Sequence, residues 1–163
     1  MRSGIRRLSG VFVVGSVLFS LSGCVVPSDA VAGVSVGADG KLVGVMLVCG
    51  HHIDGATLYI DSEEAVKERK VGMWIADQPL GPGLVTWPLE TPAAGWGGKG
   101  LSAPLADGVN YLFYGWTKDN SWSATSVSFS LRDRILPGQV RYEGEDSSAI
   151  TASLEEFEAT ACQ

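Results

Sequence analysis

The sequence predicts an all-β domain, a sandwich of two antiparallel sheets built from about seven short strands and closed by a short C-terminal helix. Three observations predict it. Segments such as Thr57-Leu58-Tyr59-Ile60 and Val71-Gly72-Met73-Trp74-Ile75 alternate inward apolar positions with others, the pattern by which side chains leave a strand on opposite faces. Turn-forming stretches such as Ala38-Asp39-Gly40 and Lys118-Asp119-Asn120-Ser121 interrupt these segments at short intervals. Near the end, Ser153-Leu154-Glu155-Glu156 is a capping box: the serine hydroxyl accepts from the third helical amide and starts a helix of about two turns.

Ahead of the first strand, the chain carries a basic head with Arg2, Arg6 and Arg7, an apolar run from Val11 to Leu21, and then Leu21-Ser22-Gly23-Cys24. That is the layout of a signal peptide. The apolar run is about half the roughly 20 residues of a membrane-spanning helix, so a permanent transmembrane anchor is the weaker reading. The stretch Leu21 to Cys24 resembles the lipobox of bacterial lipoproteins. The resemblance implies that residues 1–23 are removed, that Cys24 becomes the first mature residue, and that its sulfur carries a diacylglyceryl group. Two acyl chains attach a protein stably where one does so marginally. The implied partner is therefore the lipid bilayer, and the implied location is extracytoplasmic, on the outer face of the cell membrane. Arg6-Arg7 raises the twin-arginine export route, against which Ser9 stands where a bulky apolar residue is usual. Glycine-rich composition beside such a leader suggests a Gram-positive, actinobacterial source.

Removing residues 1–23 from 163 leaves 140, a length that suits one domain with its own core. The leader holds three of the 12 basic residues and none of the 18 acidic ones, so nine remain against 18 and the net charge is −9. Such a balance excludes nucleic acid, which needs a cationic footprint, and disfavours anionic lipid surfaces. With Cys24 acylated, Cys49 and Cys162 remain as an even pair in an exported chain, which predicts a disulfide.

In chain order, Val25 to Ala32 is a short linker broken by Pro27, and Gly33-Val34-Ser35-Val36 is the first predicted strand. Lys41 to Cys49 is apolar at nearly every position, which predicts a buried central strand. Gly50 to Gly55 reads as a turn, Thr57 to Asp61 as a half-buried strand, and Ser62 to Lys70 as a charged excursion. Val71 to Ala76 and Leu84 to Trp87 follow as strands, with Pro88 ending the second. Thr91 to Gly100, holding Gly95, Gly97, Gly98 and Gly100, is predicted to be loop. Trp122 to Leu131 alternates as a last one-sided strand after the Lys118 to Ser121 turn. Leu136 to Tyr142 is a turn and a short extended piece, and Leu154, Phe157 and Ala161 share one face of the terminal helix.

Leu105-Ala106-Asp107-Gly108-Val109-Asn110-Tyr111 resembles the approach to the sixth strand of fibronectin type III and other immunoglobulin-like domains, where leucine, a glycine turn and tyrosine recur at these offsets. Asp107 stands where proline is common. The resemblance implies an immunoglobulin-like antiparallel β-sandwich in which the Tyr111 hydroxyl bonds back to the backbone just upstream, a tyrosine corner. The expected organisation is a signal peptide at 1–23, a lipidated N-terminus and linker at 24–32, the sandwich at 33–131, and a C-terminal extension at 132–163.

The candidate functional residues are few. His51, His52 and Asp54 offer two imidazoles and a carboxylate in one turn, enough to suggest zinc or copper, although adjacent histidines on extended backbone point apart and no fourth ligand is evident. A polar turn is the plainer reading, and no metal or cofactor is expected. Trp96, in a glycine-rich loop with Lys99, is predicted to be an exposed aromatic and a contact residue for an envelope protein, a glycan or a small molecule. The Lys118, Asp119, Asn120 turn with Trp122 is a second candidate contact surface, and Trp116 and Trp122 are expected to pack as a cross-strand pair. No nucleophile with base and orienter and no phosphate-cradling loop is present, since Gly97-Gly98-Lys99-Gly100 lacks the flanking strand and helix such a loop requires. A non-enzymatic recognition or scaffolding domain is the resulting expectation.

Overall fold

The computed structural model describes residues 25–61, 69–91 and 93–163. Cys24 with its lipobox-like stretch, and most of the charged excursion after Asp61, lie outside the described residues. The described chain forms β1 (Ser28–Val36), β2 (Leu42–Val48), β3 (Ile53–Ile60), β4 (Arg69–Leu80), β5 (Gly83–Pro88), β6 (Trp96–Leu101), β7 (Tyr111–Trp116), β8 (Ser123–Thr125), β9 (Val127–Phe129), β10 (Gln139–Glu143), β11 (Ala149–Ser153) and α1 (Leu154–Thr160).

The fold is all-β with one short C-terminal helix, as the alternation and the capping box predict. It departs from the expected seven strands in two separate antiparallel sheets: eleven strands join in one mixed sheet that curls into a half-barrel. The hub is β1. One of its edges carries β2 antiparallel from Ala30 to Val36. The other is divided, with β8 parallel along Ser28 to Val31 and β10 antiparallel along Gly33 to Ser35. Strand β8 also meets β7, at Ser123 opposite Trp116. It thereby joins the limb β5-β2-β1-β10-β11 to the limb β6-β4-β3-β7-β9. The predicted single strand Trp122 to Leu131 is thus two pieces separated by Ser126, and the first has partners in both limbs.

The apolar run in β2 follows from burial on both faces. Met46 and Val48 enter the larger core with Phe113, Phe129, Leu58 and Trp87. Val45 and Leu47 enter a second core with Val31, Val140, Tyr142 and Phe157. Helix α1 covers that second face: Ser153 Oγ accepts from the Glu156 N–H at 3.1 Å, and Phe157, fully buried, meets Tyr142 edge-on at 4.8 Å. The predicted disulfide is present, linking Cys49 just beyond β2 to Cys162 just beyond α1, with Cα atoms 5.5 Å apart. The predicted back-bond of Tyr111 is present too, its hydroxyl accepting from the Ala106 N–H at 2.8 Å.

Four further elements differ from expectation. Strand β1 begins at Ser28, inside the stretch Val25 to Ala32 read as linker, because Ala30 to Ala32 pair with β2 and Ser28 to Val31 with β8. Strand β3 starts at Ile53, because Gly55 and Ala56, read as part of a turn and its exit, pair with β4 and β7. Segment Trp96–Leu101, read as loop, is strand β6 on the edge of β4; glycines have no side chains with which to display a period. The stretch after residue 132 contributes the hairpin β10–β11, hydrogen-bonded to β1 through β10.

Candidate functional site

Two regions gather the residues singled out in the sequence. The first is the end of the half-barrel where β1 starts, β2 ends, β3 starts and β7 turns into β8. Asp29 Oδ2 accepts there from the Gly50 N–H at 3.1 Å, from the His51 N–H, and from His51 Nδ1 at 2.8 Å. Burial pushes the Asp29 carboxyl up, but the His51 ring, the two backbone donors and the charge of His51 outweigh it and leave the pKa below the usual value. The His51 ring then stacks on Trp122, with centroids 3.8 Å apart and planes at 20°.

Across this end, buried Asp54 accepts from the Lys118 N–H at 2.8 Å, with His52 Nε2 at 3.7 Å from the same oxygen. The β7–β8 turn closes on itself. Asp119 Oδ1 accepts from the Ser121 N–H at 3.0 Å and the Ser121 hydroxyl at 2.7 Å, and Thr117 Oγ1 donates to the Trp122 carbonyl at 3.0 Å. Asn120 takes a positive φ of 57°, which asparagine tolerates better than most residues. The Ser121 hydroxyl, then its N–H and Thr117, lower the Asp119 pKa to about 2.

The two histidines turn to different carboxylates, Asp29 and Asp54, and among the described residues no three His, Cys, Asp or Glu side chains gather to hold an ion. Trp116 and Trp122 do not form the expected pair. Trp116 Nε1 donates to Thr57 Oγ1 at 2.8 Å, while Trp122 has His51. Lys118, Asp119 and Asn120 are exposed.

The second region is the flank where the edge strands β5 and β6 approach each other. Trp96 is not the exposed loop aromatic expected from its glycine neighbours. It opens β6, is half-buried, and stacks on Trp87 with centroids 4.1 Å apart and planes at 26°. Trp87 and Trp74 both pack on Phe113, at 5.9 and 6.0 Å. A hollow of about 230 Å³ lies beside them, bordered by Trp74, Glu90, Trp96, Lys99 and Gly100. Trp74 and Trp87 are 2% and 1% exposed, and among the described residues the indole N–H of each has no hydrogen-bond partner. Sequence gives no warning of this, because whether an indole finds an acceptor depends on which backbone passes it.

A larger cavity of about 650 Å³ opens at the end where β1 finishes and β2 begins, with Val36, Leu42, Leu105 and Ile135 on its apolar walls. Asp133 borders it and is held by the Ser130 N–H at 2.7 Å and Arg141 Nε at 3.4 Å. Glu90 and Leu101 border both hollows. No family model matches the chain, and no curated protein and no solved structure is significantly similar to it.

Proposed function

We propose that this protein is a non-enzymatic lipoprotein held on the outer face of the cell membrane by an acylated Cys24, where it presents a recognition or scaffolding domain of immunoglobulin-like architecture. The observation that carries the reading is the sequence Leu21-Ser22-Gly23-Cys24 behind a basic and then apolar leader. The Cys49–Cys162 disulfide supports it, since such bonds persist in oxidising compartments outside the cytosol. The Tyr111 to Ala106 contact supports the immunoglobulin-like part.

The anchor leaves little slack. Ser28 already belongs to β1, so four chain steps separate it from Cys24 and span at most about 14 Å. The Asp29, His51 and Trp122 end then lies near the lipid headgroups, and a net charge of −9 on the mature chain discourages the rest from lying flat on anionic lipid. Mass spectrometry of the protein from its native membranes tests this. A mature N-terminus at Cys24 bearing a diacylglyceryl group, and release of Cys24→Ala from the membrane fraction, are expected; an unmodified Cys24 overturns the proposal.

A further inference from the structure

We propose that the cavity of about 650 Å³ where β1 finishes binds a small apolar amine, its hydrocarbon part among aliphatic side chains and its ammonium group at Glu90. This deepens the recognition reading, on which it rests, by naming a ligand class, and it does not depend on acylation of Cys24. The volume is that of a small-molecule site. Its apolar walls come from separate stretches of chain: Val36 ends β1, Leu42 opens β2, Leu101 closes β6, Leu105 lies just before the Tyr111 back-bond, and Leu131 and Ile135 follow β9. Leu131 lines the cavity and is 42% exposed, so part of this wall stands open to water and a hydrocarbon group can cover it. The segment that carries Leu131 and Ile135 is held in place. The Asp133 N–H donates to the Ser130 carbonyl at 3.1 Å, the Ile135 N–H to the Asp133 carbonyl at 3.0 Å, and the Ser130 N–H to the Asp133 carboxylate at 2.7 Å. A wall fixed in advance is not ordered at the ligand's expense.

Charge selects the ligand's polar end. Asp133 and Glu90 border the cavity, and among the described residues no Lys, Arg or His does. The two carboxylates are not equivalent. Asp133 accepts from the Ser130 N–H and lies 3.4 Å from Arg141 Nε, so its charge is answered. Glu90 is exposed and makes no ion pair or side-chain hydrogen bond among the described residues. The basic residues nearest in sequence do not answer it: Arg132 Nε is 3.3 Å from Asp107, and Lys41 and Arg134 do not border the cavity. The serine hydroxyls on the wall are occupied, Ser102 donating to the Val71 carbonyl at 3.0 Å and Ser130 to Asp133 at 3.5 Å. One unpaired negative charge beside an aliphatic wall favours an alkylammonium over an alcohol of the same shape. A carboxylate ligand would bring a second negative charge to Glu90, which selects against it.

The test uses the full chain in detergent at neutral pH, with cyclohexylmethylamine, cyclohexylmethanol and cyclohexanecarboxylate as probes of nearly one shape. Isoleucine δ1-methyl resonances are followed by NMR, those of Ile135 and Ile150 being identified by their loss in Ile135→Val and Ile150→Val. Ile150, exposed on β11, is the control for adventitious contact. A saturable shift at Ile135 and none at Ile150 is expected, the amine binding about threefold tighter than the alcohol and the carboxylate weakest of all. In Glu90→Gln the amine and the alcohol should bind equally, and in Leu131→Ser both should weaken. Glu90 and Leu131 are exposed, so these changes leave the fold intact. The assignment is overturned by no saturable shift at Ile135, by the same shift at Ile150, or by an alcohol or carboxylate that binds as tightly as the amine. An amine preference that survives Glu90→Gln, or affinities unchanged in Leu131→Ser, overturns it as well. Acylation is read separately from the mass of the same sample, so failure here and failure of the anchor are distinguishable.

Discussion

The β7–β8 turn and the β5–β6 flank both attract notice for tryptophans near charged residues, and they differ in what their polar groups do. At the turn, Asp119 is engaged by Ser121, Asp54 by the Lys118 amide, Asp29 by His51 and Gly50, and the Trp122 ring by His51. At the flank, the buried donors of Trp74 and Trp87 have no partner among the described residues, and Glu90 stands beside a hollow. Charged and aromatic residues on a turn therefore do not mark a binding site when they satisfy one another.

The largest effect expected from disturbing the turn end is loss of its covalent tie. The Cys49–Cys162 bond spans a sequence separation of 113, so the Cys49→Ser, Cys162→Ser double variant should lose about 4–5 kcal/mol of stability by chain entropy. Urea unfolding reads this directly, and a loss under about 1 kcal/mol would show that α1 is held by Phe157 packing instead.

Next is Gly55→Ala, which strikes both regions at once. Its new Cβ would lie 2.6 Å from the Trp116 ring and 2.6 Å from the Trp74 carbonyl, so ring or backbone must shift to admit it. A destabilisation of about 1–3 kcal/mol is expected, and a neutral thermal midpoint would contradict it.

A finer comparison sets Trp116→Phe against Trp87→Phe. Both shrink a ring, but only the first removes a made hydrogen bond, the one to Thr57. Trp116→Phe should therefore cost about 1 kcal/mol more on that account, measured by chemical denaturation side by side. Equal losses would mean that the indole donors of the two regions are equivalent after all.

The smallest effect is in the titration of the turn. Asp119 has a folded pKa of about 2 against 3.8 for the ordinary group, so the support it gives is complete above the ordinary value and is lost as pH falls through the folded one. Carboxyl-carbon NMR should place its midpoint near 2, and Ser121→Ala should move it back up. A wild-type midpoint near the ordinary value would remove the picture of a self-satisfied turn.

The sequence by itself determined the local features. Period-two alternation marked β4 and the second half of β3, the serine–glutamate spacing marked the start of α1, the leucine, glycine and tyrosine offsets marked the Tyr111 contact, and the two cysteines left once Cys24 is set aside marked the disulfide. Each depends on neighbours within a few positions or on simple pairing. Tertiary structure alone decided that β8 lies parallel to β1 and merges two limbs into one curled sheet, that glycine-rich β6 is a strand, that Trp96 lies on Trp87, and that the Trp74 indole has no acceptor among the described residues. The physical reason is that a strand pattern specifies which face a residue takes but not which edge it meets. A glycine displays no face at all, and the partner of a buried donor comes from chain far away in sequence.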